Sequence, residues 1–201
     1  MSHFETSAKL WDKTKFLAQY ALKPAMVGAV APSSKALAKE MVAHMGIERA
    51  QAVVEFGAGT GVFSREALPL LPPDCKFVMI ELNQEFATLL RERFPGQRLH
   101  FDDVRNVRAI CDREGIGEVD CILSGLPWAS FPEKLQTECL DAMMSVLRPG
   151  GRFATFAYEG LALLPRAQNF RKKLGKYFSE VKQSPTVLAN LPPAFVYRCT
   201  R

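Results

Sequence analysis

Glycines at every second position follow a short apolar run in the segment VVEFGAGTG, residues 53–61. The two valines predict a buried strand, and Gly57, Gly59 and Gly61 predict a sharp turn from that strand into a helix. Glycine adopts positive φ and carries no side chain, so a ligand can approach the backbone of such a turn closely. The segment therefore predicts a small-molecule site, with a purely structural turn as the alternative.

The acid inside this segment restricts the kind of ligand. A dinucleotide-binding turn carries its third glycine three places after the second, where this chain has Val62. Glu55 stands at the end of the strand, where a carboxylate repels a pyrophosphate and attracts a cation. S-adenosylmethionine carries a sulfonium and an ammonium and has no phosphate. The expected contacts of this cofactor in the turn are Glu55, Gly57, Ala58, Gly59 and Gly61.

Two further acidic positions fall where a nucleoside would need them. The strand KFVMIE ends in Glu81, whose carboxylate is expected to accept hydrogen bonds from the two ribose hydroxyls. After the following strand, FDDV offers Asp102 and Asp103 as acceptors for the adenine amine. Simpler alternatives exist, since Glu81 can cap the next helix and Asp102 can cap a turn.

The loop SGLPWASFP, residues 124–132, follows the fourth predicted strand. Ligand-facing residues of open parallel sheets stand at the carboxyl ends of the strands, so we expect Ser124 to contact the cofactor. Trp128 offers an aromatic face for a cationic group, with a role as core anchor as the alternative. Tyr158 ends the fifth strand and is expected to face the substrate, with a half-buried strand tyrosine as the alternative.

Strand and helix signals alternate from about residue 33 onward, which predicts an α/β fold with a mainly parallel sheet. The turn at 149–151 is expected to end one helix and lead into a strand. The predicted strands are 51–56, 76–81, 97–101, 119–124, 151–158, 177–183 and 194–200. The predicted helices are 33–45, 62–70, 83–93, 105–114, 132–147 and 165–175.

The composition is that of a globular protein, with 201 residues, 48% of them hydrophobic and 23% charged. No apolar run is long enough to predict a transmembrane helix, and the N-terminus has no apolar segment typical of a secretory signal. The five cysteines are an odd number without metal-ligand spacing, so we expect reduced thiols, no metal site and a cytoplasmic protein.

The net charge of +5 favours a polyanionic partner, either nucleic acid or an anionic membrane surface. Residues 4–22 place apolar side chains at helical spacing between lysines, which predicts an amphipathic helix that packs on the core or lies in a membrane interface. We expect a membrane-contact and lid segment at 1–32 and a catalytic domain at 33–201. The expected membrane contacts are Lys9, Trp11, Lys13 and Lys15.

Several segments together resemble the bacterial phospholipid N-methyltransferase family, within the class I S-adenosylmethionine-dependent methyltransferases. The segments are VGAVAPSSKALAKEM, VVEFGAGTGVFSREAL, SGLPW, RFATFAY and NLPPAFVYRCTR. The resemblance implies a Rossmann-like sheet of about seven mainly parallel strands with the last antiparallel. It also implies methylation of the amine of phosphatidylethanolamine and its methylated intermediates, giving phosphatidylcholine.

The resemblance also implies roles for individual residues. It favours Asp103 over Asp102 at the adenine, because family members carry a Gly-Asp-Ala-like triplet here. Ser124 and Tyr158 are expected to position the amine, and Trp128 and Tyr158 to contact the lipid head group. The neighbours that complete the expected cofactor site are Leu82 and Val104. The implied location is the inner face of the membrane, with peripheral attachment to an anionic surface.

Two other functions fit part of the same pattern. A ribosomal RNA adenine dimethyltransferase shares the cofactor fold and the basic charge, but such enzymes usually carry Asn or Asp where this chain has Ser124. A nucleic-acid partner is therefore not favoured. The second alternative is a non-catalytic relative that binds membrane or nucleic acid and keeps the cofactor turn.

Overall fold

The structure, a computed structural model of the chain, describes residues 33–201. In that part of the chain a single sheet of seven strands forms the centre. The strands are β1 (Ala52–Phe56), β2 (Lys76–Glu81), β3 (Arg98–Phe101), β4 (Val119–Ser124), β5 (Leu147–Tyr158), β6 (Glu180–Gln183) and β7 (Ala194–Thr200).

The strand order is β3-β2-β1-β4-β5-β7-β6. Neighbours from β3 to β5 are parallel, whereas β7 lies antiparallel between β5 and β6. The predicted sheet, mainly parallel with the last strand antiparallel, is confirmed. The strand order reverses between β1 and β4, and a crevice outside the carboxyl ends of the strands at such a point is the usual ligand site of this architecture.

Helices cover both faces of the sheet. Buried residues of α1, α2 and α3 pack on one face, and those of α4, α5 and α6 pack on the other. The helices are α1 (Lys35–Val42), α2 (Val62–Ala67), α3 (Gln84–Arg93), α4 (Val107–Arg113), α5 (Glu133–Met144) and α6 (Pro165–Tyr177).

Strand β1 is buried along its whole length, as a central strand between two helical layers should be. Successive side chains of a strand point to opposite faces. Val54 and Phe56 therefore join the layer of α4 to α6, whereas Val53 joins the layer of α1 to α3. Glu55 follows Val53 at the same parity and points toward the α1–α3 layer.

Some predicted boundaries differ from the observed ones. The turn expected at 149–151 lies inside β5, which begins at Leu147 and pairs irregularly with β4 before regular pairing resumes. Gly150, at φ 71°, accommodates this irregularity. The strand expected at 177–183 begins at Glu180, because α6 continues to Tyr177.

The N-terminal helix predicted at 4–22 and its expected membrane contacts Lys9, Trp11, Lys13 and Lys15 lie outside the described residues. Within residues 33–201, no helix is long and apolar enough to cross a membrane. The same part of the chain contains no group of three or more His, Cys, Asp or Glu side chains that could hold a metal ion. The cysteines there are all free thiols, and burial raises the pKa of Cys121, Cys139 and Cys199 to about 12.

Candidate active site

The glycine turn joins β1 to α2 at the carboxyl edge of the sheet. Gly57 and Gly59 have φ values of 65° and 55°, which side-chain-bearing residues rarely adopt. A Cβ on Gly57 would lie 2.7 Å from the side chain of Leu126, so that position has no room for a larger residue. A Cβ on Gly59 would meet no atom of residues 33–201 within 4 Å. Within that part of the chain the backbone at Gly59 is thus open to a ligand.

A cavity of about 250 Å³ opens beside this turn, at the carboxyl ends of the central strands. Most of its wall is apolar or aromatic. The predicted site residues that line it are Gly57, Gly59, Glu81, Leu82, Asp103, Val104, Trp128 and Tyr158. The other four predicted site residues, Glu55, Ala58, Gly61 and Ser124, lie behind the wall. Eight of the twelve residues predicted for the site therefore line one cavity, and their contacts with a cofactor or substrate stay predictions.

Glu81 fastens the turn and presents its carboxylate to the cavity. One oxygen accepts a hydrogen bond from the Gly59 N–H at 2.8 Å, and the other accepts one from the Asn83 N–H, also at 2.8 Å. Burial raises the pKa of this carboxyl, and the backbone donors oppose the shift. Each carboxylate oxygen accepts more than one hydrogen bond. Glu81 therefore keeps accepting capacity for a pair of hydroxyl groups.

Asp103 begins the short helical turn after β3 and is nearly fully buried. Its carboxylate accepts the Arg105 N–H and pairs with the Arg105 guanidinium, with Nη2 at 2.6 Å from Oδ2. The hydrogen bond to Asp103 raises the pKa of Arg105, against desolvation. The same guanidinium lies 2.6 Å from a carboxylate oxygen of Glu138 on α5. Sequence reasoning missed Arg105, which fixes the orientation of Asp103.

Glu55 is enclosed on the α1–α3 side of the sheet and does not reach the cavity. The Ser64 hydroxyl of α2 donates to its Oε2 at 2.5 Å, whereas its Oε1 has no hydrogen-bond partner among residues 33–201. Burial raises the pKa of Glu55 to about 8. The carboxyl is therefore mainly protonated at neutral pH in this structure. The contact with a cationic cofactor that the sequence indicated for Glu55 stays a prediction.

Ser124 supports the cavity wall from behind. Its hydroxyl oxygen accepts the indole N–H of Trp128 at 2.9 Å and the backbone N–H of Leu126 at 3.3 Å. Both Ser124 and Trp128 are buried. In this structure Ser124 stabilises the loop that carries Leu126 and Trp128. A direct contact between Ser124 and an amine stays a prediction.

The indole of Trp128 lines the cavity and also anchors the core, and its contact with a cationic group stays a prediction. It stacks on Phe170 of α6 with ring centroids 5.2 Å apart and meets the Phe153 ring edge-on at 5.9 Å. Gln136 on α5 donates its amide N–H to the Trp128 carbonyl at 2.9 Å. Sequence reasoning missed Gln136, since its contact depends on how α5 packs.

Aromatic rings form much of the wall opposite the glycine turn. Tyr158 meets Phe156 edge-on with centroids 5.5 Å apart, and both line the cavity. Burial raises the pKa of the Tyr158 phenol. Phe86 and Tyr197 also line the cavity and were not predicted. Ring faces attract cations, so this wall suits a positively charged group.

A glycine turn with an open backbone, an acid at the end of the next strand and a second acid after β3 are typical of the class I methyltransferases. A methyltransferase-domain family matches residues 54–153. Solved structures agree on the fold. The O-methyltransferase from Bacillus cereus in complex with SAH has a TM-score of 0.65 at 14% identity, over 94% of this chain and 91% of that chain. The O-methyltransferase TomG from Streptomyces achromogenes in complex with SAM has a TM-score of 0.62 at 18% identity, over 92% and 88%.

Similarity to one protein indicates a more specific family within the class I methyltransferases. The ornithine lipid N-methyltransferase of Singulisphaera acidiphila is 35% identical over 190 residues, which cover 92% of this chain and 93% of the relative. The chain therefore belongs to the class I S-adenosylmethionine-dependent methyltransferases, in a family of lipid N-methyltransferases. Ribosomal RNA small subunit methyltransferase A of Thermotoga petrophila is 30% identical over 99 residues, 47% of this chain and 37% of that relative.

Proposed function

We propose that this protein transfers the methyl group of S-adenosylmethionine to the primary amine of a membrane lipid head group. The observation that carries the proposal is the near full-length relationship to an ornithine lipid N-methyltransferase. The aromatic wall at Phe156 and Tyr158 supports it, because methylation of an amine ends in a cationic product.

The residues around the cavity fit the cofactor. Glu81 is proposed to accept the ribose hydroxyls, because its carboxylate lines the cavity beside the turn and both of its oxygens retain lone pairs. The open backbone at Gly59 leaves room for the amino-acid portion of the cofactor. Asp103 and Val104 are proposed to contact the adenine and Leu82 to pack against the nucleoside.

The cofactor supplies an electrophilic methyl group on a sulfonium, and the sulfur leaves as S-adenosylhomocysteine when the new N–C bond forms. The protein must provide a neutral amine, whose pKa in water is about 10. The apolar wall lowers that pKa by desolvation. Trp128 and Tyr158 are proposed to hold the amine in line with the methyl group, which supplies rate through positioning.

Two lipids are candidate acceptors, and each carries a primary amine. The relative's name favours ornithine lipid. The sequence resemblance, which includes the SGLPW and NLPPAF segments, favours phosphatidylethanolamine as the acceptor, methylated up to three times to phosphatidylcholine. Both reactions place the same group, a lipid amine, beside the same cofactor.

The proposal includes peripheral attachment to the inner face of the membrane. The net charge of +5 supports attraction to an anionic surface. Lys9, Trp11, Lys13 and Lys15 are proposed to contribute, as the sequence predicts for an interfacial helix.

A test uses purified protein and methyl-labelled S-adenosylmethionine with vesicles that contain phosphatidylethanolamine, ornithine lipid or neither. We expect label in the lipid fraction with at least one of the two amines and none with vesicles that lack both. A parallel reaction with ribosomal RNA tests the alternative suggested by the shorter match. Label in RNA with none in lipid would overturn the proposal, and cofactor binding without transfer to any acceptor would favour a non-catalytic relative.

A further inference from the structure

We propose that four exposed leucines form a bilayer-docking rim at the mouth of the cavity, so that a lipid amine enters from the membrane without leaving it. The rim consists of Leu163, Leu164, Leu188 and Leu191, and this inference rests on the lipid substrate proposed above. It concerns the catalytic domain and is independent of the N-terminal segment.

The exposure of these side chains is unusual for large apolar residues. Leu163 and Leu191 are each 81% exposed, Leu188 is 78% exposed and Leu164 is 52% exposed. Leu163 and Leu164 lie in the segment between β5 and α6, and the other pair lies in the loop between β6 and β7. Clustered apolar exposure of this kind marks an interaction surface.

Contacts between the two segments hold them side by side. Tyr158 at the end of β5 pairs with Ala194 at the start of β7. Just beyond that pair, the Glu159 N–H donates to the Pro193 carbonyl at 2.9 Å. The Thr186 hydroxyl donates to the Glu159 carboxylate at 2.7 Å. The four leucines therefore project from one end of the sheet.

The rim is continuous with the cavity. Leu161 and Ala162 line the cavity wall and lead directly into Leu163 and Leu164. Tyr158, which also lines the cavity, immediately precedes this segment. A head group that enters between the two leucine pairs meets the aromatic wall first.

The positive charge of α6 favours a lipid bilayer as the partner of the leucine rim. The exposed face of α6, which begins immediately after Leu164, carries Arg166, Arg171, Lys172 and Lys176. None of these four side chains forms an ion pair within residues 33–201. Arg166 follows Leu164 by two residues, and the other three cations continue along α6 away from the rim. Apolar side chains next to a basic helix are the pattern of an interface with anionic lipid.

The chain's own N-terminal segment is the competing occupant. It enters the described region at Ser34, whose N–H donates to the Asn190 side chain at 2.8 Å. Asn190 lies between Leu188 and Leu191 in the sequence, so Ser34 is hydrogen-bonded to the loop that carries one half of the rim. If residues 1–32 cover the leucines, the rim is not a docking surface.

The experiment compares vesicle binding by full-length wild type, Leu163→Ser/Leu164→Ser, Leu188→Ser/Leu191→Ser and the four-residue combination. The matched control is Leu70→Ser, an exposed leucine in the helical turn between α2 and β2, away from the strands that carry the rim. Co-sedimentation with vesicles of phosphatidylethanolamine and phosphatidylglycerol gives the affinity, and calorimetry with S-adenosylmethionine checks the cavity.

We expect each leucine pair to lower vesicle affinity about tenfold, with no change in cofactor affinity or in the control. Methylation of vesicle lipid should fall accordingly, whereas methylation of a dispersed short-chain lipid should match wild type. Unchanged vesicle affinity in the four-residue variant would contradict the proposed docking rim. Lower thermal stability of that variant would also contradict it, because it would show that residues 1–32 cover the leucines. Failure of the proposed function is distinguishable, because wild type would then methylate neither the vesicle lipid nor the short-chain lipid.

Discussion

Replacing Glu55 with glutamine should remove a pH dependence of stability that the wild-type chain carries. The Glu55 carboxyl is fully buried and accepts one hydrogen bond from Ser64, and its second oxygen has no partner in the part of the chain that the structure describes. Burial raises its pKa from 4.5 to about 8. Glutamine has nearly the same shape as the protonated carboxyl and does not titrate.

The magnitude follows from linkage between proton binding and unfolding. A group whose pKa is higher in the folded state binds more protons there, so stability falls as pH rises above the unfolded-state value and levels off above the folded-state value. For an unfolded pKa of 4.5 and a folded pKa of about 8, the free energy of unfolding drops by about 2.6 kcal/mol from about pH 6 to about pH 9.

Urea unfolding of wild type and Glu55→Gln at these two pH values provides the assay. The buried thiols also lower stability at alkaline pH, but they are common to both proteins, so the difference between the two slopes isolates Glu55. Glu85→Gln removes an exposed acid from α3 and serves as the matched control. Equal pH slopes for wild type and Glu55→Gln would refute the account of a protonated, enclosed carboxyl.

Cofactor binding by the same variant separates the two interpretations of Glu55. Because its side chain faces Ser64 and not the cavity, we expect Glu55→Gln to bind S-adenosylmethionine as wild type does near pH 6. If calorimetry instead shows clearly weaker binding, and wild-type affinity rises as the carboxyl ionises, the sequence-based assignment of Glu55 to the cofactor is the right one.

Substitutions at three other residues test the site. Glu81→Gln should weaken S-adenosylmethionine binding about tenfold to a hundredfold in calorimetry, because hydrogen bonds to a charged acceptor are lost; Glu85→Gln should not, and equal affinities would contradict the ribose assignment. Ser124→Ala leaves the buried Trp128 N–H without its acceptor and should lower the free energy of unfolding by about 1–3 kcal/mol; an unchanged urea midpoint would count against this role. Tyr158→Phe keeps the ring and should retain most of kcat, whereas Tyr158→Ala should lose it; equal losses would show that the hydroxyl, and not the ring, matters.

The elements that position the site were predictable because their signals are local. The apolar run before the glycine turn and the acid that ends β2 both follow from patterns within a few residues. Glu81 therefore reaches the cavity as expected. The turn predicted at 149–151 also relied on a local signal, the Pro-Gly-Gly composition. That prediction of the strand boundary was wrong, because pairing with β4 extends β5 through this segment.

What the sequence missed depends on contacts between distant segments. Arg105 joins Asp103 to Glu138, which is 33 residues away from Arg105. Gln136 fixes the Trp128 loop only because α5 packs beneath it.

Transfer of an isotopically marked methyl group tests the central claim most directly. Purified protein is incubated with S-adenosylmethionine that carries a deuterated methyl group and with vesicles of ornithine lipid and phosphatidylethanolamine, and the lipids are fragmented in a mass spectrometer. We predict the deuterated methyl group on the head-group nitrogen of one of these lipids, in amounts that exceed one turnover and are reduced in Glu81→Gln. Unmodified lipid amines, together with a deuterated donor that remains intact, would contradict the account.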